Sequence, residues 1–106
     1  MAISKERWFT LSLAEQLGNI GSEVGRARAW HGKDDQSFWG AVLRALELFD
    51  LTQEDGRWNR QRKELDRARE SFADAVLGGK EYQSTLSDLE RYFMQFALVV
   101  SRTRGG

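Results

Sequence analysis

The sequence predicts an all-α protein, an up-down-up-down antiparallel four-helix bundle, on three observations. Apolar residues recur at spacings of three and four through four separate stretches, the period of helices packed on one face. Proline is absent from all 106 residues, so no stretch is interrupted. The connections are short and rich in Gly and Asp, which favours antiparallel neighbours. There is no internal repeat and no strand pattern.

Residues 1–11 precede the first long helix, and Trp8 and Phe9 are expected to fold back on the bundle end in a short helical turn. The helix from Ser12 to His31 organises the rest. Ser12 with Glu15 makes a capping box. Leu13, Leu17, Ile20, Val24, Ala27 and His31 form its core stripe, and Gln16, Asn19, Ser22, Glu23 and Arg26 its wet face. Trp30 falls on the wet side, and Gly32 should end the helix in a left-handed conformation. A second stripe, Ala14, Gly18, Gly21, Gly25 and Ala29, holds three interior glycines, each costing roughly 0.5–1 kcal/mol relative to Ala. Close approach of a neighbouring helix would offset that cost. The other reading is a groove left open for a ligand or partner.

Asp34 or Asp35 should cap a second helix to about Thr52. Its strongest stripe is Trp39, Leu43, Leu46 and Asp50, flanked by Phe38, Val42, Ala45 and Phe49, with Leu48 and Leu51 elsewhere on its surface. Glu54 to Gly56 form a turn. The third helix, from about Trp58 to Leu77, has the core face Trp58, Leu65, Ala68, Phe72, Ala75 and Val76, and Gly78 and Gly79 end it. Ser84 or Thr85 caps the fourth helix, whose main stripe is Leu86, Leu89, Phe93, Phe96 and Val100. Met94, Leu98, Tyr92 and Val99 widen that face beyond what a bundle helix needs. The expected domain is 1–101, with a disordered tail at 102–106.

The composition narrows function. The chain has 16 basic and 16 acidic residues, so no global field draws it to nucleic acid or membrane. It has no Cys, which removes disulfides, thiol nucleophiles and cysteine-held metals. The amino terminus lacks the apolar core of a signal peptide, and no run is long enough to span a bilayer, so a cytoplasmic location is expected. No catalytic constellation, phosphate loop or Glu-x-x-His pair for a di-iron site is present. No cofactor, catalytic residue or metal site is expected.

Two surfaces stand out. Met94 and Leu98 on the fourth helix, with Leu48 and Leu51 on the second, are the expected interface of a homo-oligomer. Arg57, Trp58, Arg60, Lys63 and Arg67, within a cluster that also holds Arg62 and Arg69, are the candidate nucleic-acid contacts. Interleaved Glu64, Asp66 and Glu70, with Glu47, Asp50, Glu54 and Asp55 across the turn, would answer much of that charge. Asp50 should pair with Arg62, and Arg69 with Glu90.

Four resemblances add to this reading. Arg26 and His31 give an Arg-x4-His spacing that resembles the active motif of the HEPN family of helical ribonucleases and toxins, which implies ribonuclease chemistry. The two side chains would stand about 140° apart on an ideal helix. The terminal Arg104-Gly105-Gly106 looks like the tail of ubiquitin-like proteins, whose β-grasp fold does not suit this pattern. The stretches LAEQLGNIGSEVGRA, RALELFDLT and KEYQSTLSDLERYFMQFAL resemble small bacterial helical proteins of unassigned function. The layout, a helix with small residues, a polar turn and an aromatic-rich helix, is similar to the four-helix bundle proteins of 23S rRNA intervening sequences. It is similar also to their relatives that accompany diversity-generating reverse transcriptases. That likeness implies an oligomeric, nucleic-acid-associated accessory, although the marked basic balance of those proteins is missing. The leading expectation is a non-enzymatic module that self-associates. The alternatives are a nucleic-acid-binding accessory, with a reverse transcriptase as one such partner, and a HEPN-like ribonuclease.

Overall fold

Local capping sets the first long helix. The Ser12 hydroxyl accepts from the Glu15 amide at 3.1 Å while the Glu15 carboxylate accepts from the Ser12 amide at 2.9 Å, so both halves of the capping box form. A computed structural model describes residues 4–78 and 86–103, and for residues 100–103 the backbone only. It is all-helical. The elements are α1 (Lys5–Trp8), α2 (Leu13–Trp30), α3 (Asp35–Glu54), a 3-10 turn (Gly56–Gln61), α4 (Arg62–Val76) and α5 (Leu86–Thr103). No strand occurs among the described residues, and no described helix is long and apolar enough to cross a membrane. Five helices replace the expected four, because the turn at Trp8 is a helix in its own right.

Helix α2 lies against both α3 and α5, and α4 closes onto α3 and α5. Leu13, Leu17, Ile20, Val24 and Ala27 are all buried, as their spacing requires, whereas His31 is exposed and meets Phe38 ring to ring at 5.2 Å. Gly32 at φ +76° and Gly78 at φ +74° end α2 and α4 in the left-handed region that glycine tolerates. Asp34 precedes α3, but its carboxylate accepts from the Ser37 hydroxyl instead of capping the helix. The expected caps Ser84 and Thr85, Gly79, the side chains of Val100 and Arg102, and residues 104–106 lie outside the described residues. The backbone of α5 runs on through Thr103.

The rotation of α3 departs from the expected stripe. Phe38, Ala41, Val42, Ala45, Phe49 and Thr52 are buried, while Trp39 and Leu43 are 42% and 64% exposed and Asp50 is in water. Burying the Trp39 stripe would have taken the Asp50 carboxylate inside with it, at a cost that hydrophobic burial does not offset. The opposite choice ends on Thr52, whose hydroxyl accepts from the Trp8 indole at 3.0 Å inside the core. Leu51 is buried and Leu48 packs half-buried on the core, so neither adds to an exposed face as expected.

The glycine stripe divides into two parts. A Cβ on Gly21 would meet Phe93 Cβ at 3.3 Å, so α5 packs closely there, whereas one on Gly25 would meet only the Glu90 carboxylate, at 2.6 Å, the movable end of a long side chain. Nothing lies within 4 Å of a Cβ on Gly18. Gly18→Ala should therefore stabilise the chain by about 0.5–1 kcal/mol through helix propensity. Gly21→Leu should cost about 1–3 kcal/mol by overpacking. Urea midpoints moving in the same direction for both variants would contradict this division.

Candidate functional site

A buried polar hub ties one end of the fold together, and it claims part of the expected nucleic-acid surface. Gln16, expected on the wet face of α2, is fully buried. Its amide nitrogen donates to the Trp8 carbonyl at 2.9 Å and to Asp55 at 3.4 Å, and its oxygen accepts from the Trp58 indole at 3.0 Å. Asp55, just after α3, accepts from the Arg57 amide at 3.0 Å and from its guanidinium, with Nη2 at 2.6 Å. The same guanidinium donates to the Leu11 carbonyl at 2.8 Å and stands 4.3 Å from the Trp58 ring centroid. Arg57 holds the Asp55 carboxyl below its ordinary range, against the opposing effect of burial.

This hub explains why the third long helix begins later than expected. Asp55 draws Arg57 back and Gln16 draws the Trp58 indole inward, so Gly56–Gln61 close as a tight 3-10 turn with Trp58 at φ −105° and ψ 27°. The α-helix starts only at Arg62. Of the expected nucleic-acid contacts, Arg57 and Trp58 are therefore engaged in the hub: Arg57 lies over one face of the Trp58 ring, and the indole N–H is donated to Gln16.

The remaining cations sort by partner. Arg62 donates to the Gln53 carbonyl at 2.9 Å, and it is Arg69 that pairs with Asp50, at 3.1 Å. Glu90 pairs with Arg28 at 2.7 Å instead of Arg69. Both expected ion pairs exchange partners. Arg60, Lys63 and Arg67 form no ion pair among the described residues, and all three are exposed.

Beside Arg67, between α4 and α5, lies a cavity of about 250 Å³. Ala68, Leu89 and the Tyr92 ring give it apolar walls, and Glu64, Ser71 and Asp88 supply polar groups. The Tyr92 hydroxyl donates to the Glu64 carboxylate. Burial, and next the Glu64 bond, raise the phenol well above its ordinary value, so it stays a neutral donor. Tyr92 and Ser71 were missed as site residues. Tyr92 read only as widening the apolar face of its helix, and no local signal marked the cavity.

On the other flank of α5, Met94 and Leu98 are 63% and 52% exposed, one helical turn apart. Met94 lines a shallow depression with Leu17, Gly18, Gly21, Ser22 and Glu90. Arg26 and His31 have separate partners: Arg26 pairs with Glu23 at 2.8 Å, which also binds Arg44 across to α3 at 3.3 Å, and His31 meets Phe38. Among the described residues no group of three or more His, Cys, Asp or Glu could hold a metal ion. No protein-family model, curated protein or solved structure matches this chain.

Proposed function

We propose that the protein is a non-enzymatic, cytoplasmic interaction module, an up-down-up-down antiparallel bundle that self-associates along its α2–α5 seam. The bundle topology is supported by contacts whose numbers rise on one helix and fall on the next. Glu23 meets Arg44 where Gln16 meets Asp55, and Asp50 meets Arg69 where Gln53 meets Asp66. Gly21 faces Phe93 where Gly25 faces Glu90.

The observation that carries self-association is the exposed pair Met94 and Leu98 beside Gly18, a helix position with open space over it. An apolar ridge next to a groove without side chains is self-complementary in shape, which suits a two-fold homo-oligomer. Light scattering at micromolar concentration should give a mass above that of the 12.2 kDa chain. Leu98→Asp should return it to that mass with helicity unchanged. A monomeric wild-type protein would remove this reading.

A second reading, a nucleic-acid accessory, is supported by Arg60, Lys63 and Arg67, whose charges have no ion-pair partner among the described residues. Binding to single-stranded RNA or DNA that weakens with salt, and whose salt dependence flattens in Arg60→Gln/Lys63→Gln, is its expected signature.

A further inference from the structure

Arg67, one of the cations that form no ion pair among the described residues, lines the cavity between α4 and α5. Glu64, Arg67, Ala68 and Ser71 line it from α4. Lys63 lies one turn before Arg67, about 6 Å along the helix axis. The volume of about 250 Å³ is below the roughly 300–1,000 Å³ of sites for drug-sized ligands. It suits a single flat ring system, with Ala68, Leu89 and the face of Tyr92 to cover it. An anion attached to that ring would emerge along α4 over Arg67 and Lys63. The acceptors beside the ring are carboxylates, Glu64 and Asp88, which favour a base that carries N–H donors. Both already have partners, Glu64 the Tyr92 hydroxyl and Asp88 the Arg91 guanidinium at 3.8 Å, which soften their repulsion of a phosphate.

We propose that the α4–α5 cavity is a nucleotide site. A nucleobase bearing an exocyclic amine sits against Ala68, Leu89 and Tyr92, and its phosphate is held by Arg67 and Lys63. The ligand is either a free nucleotide or one nucleotide of a single strand; the chemistry recognised is the same. The site shares its cations with the nucleic-acid reading but requires the cavity as well, and a substitution confined to the cavity separates the two.

The test is calorimetric titration of the whole chain at low salt with AMP, UMP, adenosine and inorganic phosphate, alongside a labelled single-stranded oligoadenylate. AMP should bind, with UMP, adenosine and phosphate each about tenfold weaker or more, since each loses a charge-assisted contact or the ring. Arg67→Gln should cost AMP about tenfold. Ser71→Phe, which fills the cavity from its half-buried wall, should abolish binding without changing helicity, whereas Arg7→Gln on α1 should leave it unchanged. An oligoadenylate bound far more tightly than AMP, with a steep salt dependence, identifies a strand as the ligand; equal affinities identify a free nucleotide. Failure of both AMP and the oligoadenylate to bind overturns the proposal. So does binding that survives both Arg67→Gln and Ser71→Phe, or strand binding that survives Ser71→Phe alone.

Discussion

Phe93→Ala is expected to lower stability by about 3–5 kcal/mol. The side chain is fully buried, its ring centre lies 5.4 Å from that of Phe49, and Phe49 in turn lies 6.2 Å from Phe72. These three rings join α3, α4 and α5 in the core, and Gly21 of α2 faces Phe93 at the same level. Removing the ring opens a cavity whose walls belong to long helices and cannot easily collapse. Against a total of about 5–15 kcal/mol for a domain, the loss should shift the thermal midpoint by well over 10 °C, at roughly 4–8 °C per kcal/mol for a chain of this size. A shift of only a few degrees would mean that α5 is not packed on α2 as described.

Asp55→Ala is expected to cost about 3 kcal/mol. Its side chain is 6% exposed and receives the Arg57 amide, the Arg57 guanidinium and Gln16. Truncation leaves those donors without their acceptor and frees the 3-10 turn. The pH dependence has a definite sign. Because Arg57 lowers the folded-state value below the ordinary 3.8, the ionised carboxylate contributes stability above that value. The contribution is lost as pH falls through the lower, folded value. Glu15, lowered by its bonds to Ser12, acts in the same direction at the start of α2. Urea midpoints of wild type and Asp55→Asn should therefore converge on acidification below about pH 4. A gap that stays constant down to pH 2 would show that the charge of Asp55 does not matter to the fold.

The same two regions show what could be read locally. The start of α2 was legible because Ser12 and Glu15 answer each other within one turn, and the ends of α2 and α4 because Gly32 and Gly78 alone suit the left-handed conformation there. The core stripe of α2 followed from spacing. Gln16 could have been placed with it, since it lies only about 40° from Ile20 around the helix. Its polarity points to water, and only the fold brings Trp8, Asp55 and Trp58 together on it.

The sequence by itself therefore determined that this chain is helical, where α2 begins and ends and where α4 ends, and which face of α2 is inward. Those features depend on interactions within a turn or on a single periodicity. Only the tertiary structure decided the rotation of α3, the partners of Asp50, Arg69 and Glu90, and the engagement of Arg57 and Trp58 with Asp55 and Gln16. Helix α3 is apolar around more than half its circumference, so several rotations bury similar area. The choice rests on which one leaves Asp50 in water and brings Thr52 to Trp8. Ion-pair partners depend on the relative height of neighbouring helices, which long side chains can satisfy in more than one way. The hub at Asp55 joins residues 8, 16, 52, 55, 57 and 58, and no local pattern specifies contacts that span so much of the chain.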